Sequence, residues 1–208
     1  MLKKTIVFKK KNITLPKFQY KTVVLFTLFF CGAVIGCITI TKGDESFLKM
    51  PESLLKSYLT AKSDIGFLKD FCNLLVIFLS FPLLVFLLGF CAVGTPLIYF
   101  APCFFGVFSG AAAALIMKCY GSAGTGFAAL AIIPGTALAA ASLVKCCTVA
   151  SGMSLNLISL LSGNTKIEDG KLINRYLKEY AVQIIPSILA AIVNAGSFKL
   201  FGGLFDFI

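Results

Sequence analysis

The fold is decided by residues 71–165, which read FCNLLVIFLSFPLLVFLLGFCAVGTPLIYFAPCFFGVFSGAAAALIMKCYGSAGTGFAALAIIPGTALAAASLVKCCTVASGMSLNLISLLSGNT. These 95 residues carry only two charged side chains, Lys118 and Lys145. A soluble domain covers its surface largely with charged and polar side chains, so this stretch does not fit one. A bilayer core about 30 Å thick needs roughly 20 apolar residues per helix. The stretch therefore predicts three or four membrane-spanning helices joined by short turns.

The composition of the whole chain agrees with a membrane protein. Hydrophobic residues make up 58% of the 208 residues and charged residues 13%, about half the charged share of a soluble domain. The spans and their connections use most of this length, which leaves no room for a separate soluble catalytic domain. We therefore predict an all-α fold, a polytopic integral membrane helix bundle.

Windows without charge predict five crossings, with six as the alternative count. Between residues 71 and 161, Cys91 to Pro96 indicates a turn, and the glycine-rich residues 118–126 indicate a loop. Residues 127–161 are interpreted as one long kinked or broken helix that crosses around 129–149, with two half-spanning segments as the alternative. The predicted units are a tail (1–21), helix 1 (22–41), a loop (42–70), helices 2 to 4 (71–161), a loop (162–180), helix 5 (181–198) and a C-terminus (199–208).

The distribution of basic residues predicts the orientation. Residues 1–21 hold seven lysines and no acid, and cytoplasmic flanks carry excess Lys and Arg. We therefore expect a cell-membrane protein with a cytoplasmic N-terminus, an external loop 42–70, a basic cytoplasmic loop 162–180 and an external C-terminus. A cleaved signal or a lipoprotein signal ending before Cys37 is the alternative for the first window, and an uncleaved helix fits its length better. The net charge of +10 fits contact with anionic lipid headgroups, and we expect no nucleic-acid partner.

Reactive side chains are scarce. Histidine is absent, and none of the eight cysteines is spaced as Cys-x-x-Cys, so the usual general base and zinc-binding patterns are missing. We predict no catalytic residue, no cofactor and no metal site. Lys145 is the candidate intramembrane polar residue, and snorkelling toward an interface is the competing explanation.

Small residues recur where helices would pack closely. Gly32 and Gly36, and again Gly106 and Gly110, are spaced four residues apart, the spacing that lets another backbone approach. These pairs predict tight helix contacts, either within the chain or with partner helices.

Glycines and prolines recur along the apolar windows at Gly89, Gly94, Pro96, Gly106, Gly110 and Pro134. This pattern resembles that of the stage II sporulation protein M family, the membrane component of the engulfment machinery of endospore-forming bacteria. The resemblance runs over almost the whole chain and includes a basic start, one span, an external loop and four further spans.

The resemblance implies a scaffold rather than an enzyme. Members of that family hold two peptidoglycan-processing partners, stage II sporulation proteins D and P, at the septal membrane, and the partners carry the hydrolysis. The alternative function is a small transporter or channel subunit, because discontinuous helices often frame mid-membrane binding sites and Pro134 could break the fourth span. An intramembrane enzyme fits worst, because no His or acid lies near the intramembrane serines to activate them.

Overall fold

All regular structure in the described part of the chain is helical. The structure, a computed structural model, describes residues 17–43, 51, 53, 67–161 and 169–201. The helices are α1 (Lys17–Lys42), α2 (Phe67–Gly89), α3 (Thr95–Phe127), α4 (Ile133–Leu161) and α5 (Asp169–Phe201). Residues 1–16 of the predicted tail, most of loop 42–70, residues 162–168 and the C-terminus from residue 202 lie outside the described residues.

Four helical stretches are long and apolar enough to cross a membrane, and they fit a multi-pass membrane protein. They are Tyr20–Lys42, Phe67–Gly89, Ala92–Leu161 and Ile173–Leu200. The third stretch holds 70 residues and contains both α3 and α4.

A tight turn joins α2 to α3. The two backbone N–H groups that follow α2 form short-range bonds, with Phe90 donating to the Leu87 carbonyl and Cys91 to the Leu88 carbonyl, each at 3.1 Å. A single 3-10 turn, Ala92–Gly94, follows. Pro96 then stands in the first turn of α3, where a missing N–H is harmless. This turn occupies the residues for which the sequence predicts one.

The chain reverses direction at Gly121, inside the stretch assigned to α3. Gly121 has φ 59° and ψ −131°, a conformation that side chains with a Cβ rarely adopt. A methyl group on Gly124 would overlap the carbonyl oxygen of Ile116, eight residues earlier, whereas a straight helix separates such residues by about 12 Å. The hydroxyls of Thr95 and Ser154 lie 2.9 Å apart, so α3 and α4 form an antiparallel hairpin.

Three predicted loops are shorter in the structure. The connection predicted at 118–126 is present but reduced to one residue, because helix continues on both sides of Gly121 and this glycine makes the reversal. The predicted loop 162–180 is wrong in part, because α5 already begins at Asp169. Helix α2 likewise begins at Phe67, inside the segment predicted as loop 42–70. In each case local charge and glycine content suggested a loop, while tertiary packing supports helix.

The sequence predicts a kink or break of the fourth span at Pro134 and Gly135, and the structure has a π-helical turn just before Pro134. A π-helical turn, Ala128–Ile132, connects the hairpin to α4. Pro134 stands in the first turn of α4, which then continues to Leu161. The helical backbone runs without a gap from residue 122 to residue 161, and Pro134, just after the π-helical turn, lacks the N–H that a helix interior would use.

The helices alternate in direction. Helices α1 and α3 run parallel, because Gly32 packs against Cys103 and the Lys118 ammonium donates to the Ile40 carbonyl at 3.4 Å. Helices α4 and α5 run antiparallel, with Ser142 beside Ser187. We name the two ends of the bundle by their turns: the Cys91 end, at the turn after α2, and the Gly121 end, at the hairpin.

Aromatic side chains fill the contact among α1, α2 and α3. Phe105 lies at its centre, with ring centroids of Phe29, Phe78 and Phe81 at 6.0, 6.5 and 5.3 Å. Offset and edge-to-face ring pairs of this kind stabilise a contact beyond their buried area. Helix α4 is the most buried of the five, so it forms the centre of the bundle.

Candidate functional site

Glycines lock α1 against α3. A methyl group on Gly32 would overlap the Cys103 carbonyl, and one on Gly36 would overlap the Val107 carbonyl. A methyl on Gly110 would likewise overlap the Ala33 carbonyl. Such close backbone approach is what small residues allow between membrane helices. The predicted glycine pairs therefore make their close backbone contacts within this chain rather than with a partner helix.

The remaining glycine and proline positions do not form one site. Gly89 packs against the Tyr176 hydroxyl and Ala150, and Gly94 against the Leu88 carbonyl, both at the Cys91 end. Gly106 faces the Phe29 carbonyl in the α1–α3 contact. The structure places these residues, with Pro96 and Pro134, at helix contacts and helix starts.

Serines on α4 bind neighbouring helices through hydrogen bonds. Ser142 donates to the Gln183 carbonyl at 2.6 Å, and its oxygen lies 2.7 Å from the Ser187 hydroxyl. Ser154 donates to the Cys91 carbonyl at 2.8 Å. The Thr95 hydroxyl lies 2.9 Å from the Ser154 hydroxyl. These bonds satisfy hydroxyls that would otherwise be unpaired in an apolar interior.

Two buried tyrosines of α5 bind the end of α2. Tyr176 and Tyr180 are 3% and 2% exposed. The Tyr176 hydroxyl donates to the Phe86 carbonyl at 3.0 Å, and Tyr180 donates to the Pro82 carbonyl. Because the Phe90 N–H turns to Leu87, the Phe86 carbonyl lacks its helical donor, and Tyr176 supplies one. The Phe86 and Tyr176 rings also stack, with centroids 5.4 Å apart.

Sequence reasoning missed these tyrosines because it placed them in a loop. The signal was their spacing: residues four apart share one helix face, so two tyrosines at that spacing among charged residues indicate an amphipathic helix.

The buried polar groups of the described residues are all paired within the chain. Every buried side-chain nitrogen and oxygen in the described part of the chain has a hydrogen-bond partner. Across the same residues, no group of three His, Cys, Asp or Glu side chains could hold a metal ion. The eight cysteines are free thiols. The polar groups that are buried therefore join helices to one another.

Charged side chains gather at the two ends of the bundle. Gly32 lies beside Cys103, so Lys21, eleven residues earlier, lies at the Cys91 end and Lys42 at the Gly121 end. Ser187 of α5 lies beside Ser142 of the antiparallel helix α4. Arg175 is twelve residues before Ser187, and Ser154 is twelve residues after Ser142. Arg175 therefore lies level with Ser154. The rise from Lys21 to Lys42 is about 32 Å, close to the thickness of a bilayer core.

The charged residues form two levels, one at each end of the bundle. Among the side chains that the structure describes, the level at the Cys91 end consists of Lys21, Arg175, Lys178 and Glu179. The level at the Gly121 end consists of Lys42, Lys69, Asp70, Lys118 and Lys199. Arg175 pairs with Glu179 at 2.7 Å on the exposed face of α5. Among the charged side chains that the structure describes, Lys145 alone lies between these levels.

Lys145 lies near mid-depth and faces out of the bundle. It precedes Ser154 by nine residues, about 14 Å along α4. Its side chain is exposed, while Val144 and Cys146 beside it in sequence are buried. The predicted intramembrane lysine is therefore on the outer surface of the chain, away from the packed interior.

Comparisons with known proteins give no relative for this chain. No family model matches it, and neither a curated protein nor a solved structure does so. The described helices fit the class of multi-pass helical membrane proteins by their length and composition.

Proposed function

We propose that this chain is a membrane scaffold of the sporulation engulfment machinery, which anchors peptidoglycan-processing partners at the septal membrane. The proposal extends the resemblance to the stage II sporulation protein M family. The partners are proteins of the kind of stage II sporulation proteins D and P, and they carry the hydrolysis. The chain itself holds these partners in place at the membrane.

The observation that carries the proposal is the use of the polar residues. Ser142, Ser154, Tyr176 and Tyr180 each bind a neighbouring helix of the same chain. Such bonds favour a rigid body over a reaction centre. Lys145 faces outward, as a residue that meets other molecules would.

The proposed topology has five crossings, a cytoplasmic N-terminus and an external C-terminus. The alternating helix directions and the reversal at Gly121 support two crossings within Ala92–Leu161. The lysine-rich start supports the orientation, and it puts the Cys91 end on the cytoplasmic side. The Gly121 end and the C-terminus then face outward.

A deletion strain tests the function in cells. We expect septa to form and engulfment to stop, because the wall enzymes would no longer be held at the septal membrane. Time-lapse fluorescence microscopy of stained membranes measures the fraction of forespores engulfed. Re-expression of the chain provides the control. Normal engulfment in the deletion strain would contradict the proposal.

A small transporter or channel subunit is the second candidate. The π-helical turn at Ala128–Ile132 favours it, because such turns are frequent at functional sites. The outward direction of Lys145 counts against a pathway that this residue lines within one chain. A transport phenotype that Lys145→Ala removes, with engulfment unchanged, would favour this candidate over the scaffold.

A further inference from the structure

Lys145 is a charge without a counter-charge in the described residues. It has no hydrogen bond or ion pair there, and the recorded ion pair joins Arg175 to Glu179. A lysine near mid-depth is costly in a lipid-facing position. Its position therefore requires a polar group from outside the chain or an escape route to water.

Snorkelling does not provide that escape. The lysine stem is about 6 Å long, and Glu179, which by the Ser142–Ser187 contact lies level with Ala150, is about 8 Å away along the bundle axis. The Cα–Cβ bond of a helical residue also tilts toward the helix N-terminus. For Lys145 this direction leads toward the Gly121 end, which is farther away.

The neighbours of Lys145 leave room for a second helix. Ala141 and Val149 lie one turn to either side on the same face, and both are only partly buried. A methyl group on Gly152 would have no atom within 4 Å. These residues form a flat surface on α4. The Lys145 ammonium is the charged group on this surface, and its charge selects the binding partner.

Among the residues whose side chains the structure describes, a second copy of this chain offers no acid at that depth. Asp70 and Glu179 lie toward the two ends of the bundle. Two copies that met face to face would also bring two lysines together. Charge complementarity therefore favours a different protein.

We propose that the α4 face around Lys145 binds a membrane-spanning helix of another protein, one that carries an Asp or Glu near mid-depth. The carboxylate pairs with the Lys145 ammonium, and the flat surface of α4 admits the helix backbone. An ion pair inside the bilayer removes the penalty that each charge would suffer alone. This inference rests on the proposed scaffold function and names the contact through which a partner is held.

Site-specific photocrosslinking in membranes of the full chain tests the proposal. A benzophenone side chain at Ala141 should capture one protein whose spanning segment contains an Asp or Glu. The same probe at Ile185, which is 63% exposed on α5 at a similar depth, should give lipid adducts and serves as the control. Mass spectrometry of the adduct identifies the captured segment.

Charge variants decide whether Lys145 makes the contact. Lys145→Met should lower the Ala141 crosslink about ten-fold, since an intramembrane polar contact contributes on the order of one factor of ten, and Lys145→Arg should keep it. Lys145→Glu should abolish the crosslink, and exchange of the partner's acid for Lys should restore it. An unchanged yield with Lys145→Met, capture of a second copy, lipid adducts alone or a captured helix without an acid would each overturn the proposal.

Failure of this inference is distinguishable from failure of the scaffold function. Suppose Lys145→Met protein still retains the wall enzymes on purification and the Ala141 crosslink does not change. The docking face is then wrong and the scaffold stands. If wild-type protein retains no wall enzyme but Ala141 captures an acidic helix with charge-reversal rescue, the scaffold is wrong and the docking face stands.

Discussion

At the scale of the residue, Gly106 on α3 and Gly196 on α5 have opposite sensitivities to a methyl group. A methyl group on Gly106 would overlap the Phe29 carbonyl, whereas a methyl group on Gly196 would meet no atom within 4 Å. Backbone cannot move aside as a flexible side chain can. The same substitution therefore probes packing at one site and helix propensity at the other.

We predict that Gly106→Ala lowers the free energy of unfolding by about 1–3 kcal/mol, because α1 and α3 must separate to admit the methyl. Gly196→Ala should be neutral or raise that free energy by up to about 1 kcal/mol. Denaturant unfolding in detergent micelles, followed by circular dichroism, measures both. Equal stability of the two variants would contradict the glycine contact.

The hydroxyl of Tyr180 gives a second prediction at this scale. Tyr180→Phe removes the donor to the Pro82 carbonyl and keeps the ring, so we expect a loss of about 0.5–1.5 kcal/mol. Tyr20→Phe is the matched control, because Tyr20 is 71% exposed, and it should stay within about 0.5 kcal/mol of wild type. The same unfolding measurement applies. A neutral Tyr180→Phe would mean that this contact contributes nothing to stability.

At the scale of the element, the hairpin at Gly121 turns one long helical stretch into two. A methyl on Gly121 would touch nothing, so any cost of Gly121→Ala comes from its backbone conformation alone. We predict a loss of about 1–3 kcal/mol in the free energy of unfolding. Ser122→Ala, one residue later and exposed, is the control. A stable Gly121→Ala protein would show that the reversal does not need this conformation.

Sequence reasoning found the apolar windows because lipid forbids charge over about 20 residues, a local property. It missed the start of α5 for the opposite reason. Lys171, Arg175 and Lys178 gave that segment the composition of a loop, while the burial of Tyr176 and Tyr180 depends on α2 and α4. Contacts between distant segments leave only a weak trace in local composition.

The candidate site divides in the same way. Glycine spacing indicated close packing of Gly106 and Gly110, but it could not say which helix they meet, because the partner lies more than seventy residues away in sequence. Lys145 was identifiable by its charge within an apolar window. Its outward direction follows only from the packing of its neighbours on α4.

At the scale of the whole molecule, the topology predicts which ends water reaches from each side. In a variant whose other cysteines are replaced by Ala, a single Cys from Ser122→Cys should react with an impermeant maleimide in intact protoplasts. A single Cys91 should react only after permeabilisation, because the Cys91 end faces the cytoplasm in the proposed topology. Both residues are exposed. Labelling of both from one side would contradict two crossings within Ala92–Leu161.

The central claim of the proposed function is that this chain holds wall-processing enzymes at the membrane. Crosslinking in sporulating cells, followed by purification of the tagged chain and mass spectrometry, tests it most directly. We expect a peptidoglycan-processing enzyme to be enriched over a purification of an unrelated tagged membrane protein of similar abundance. Purification of the intact chain with its lipids and no such enzyme would contradict the claim.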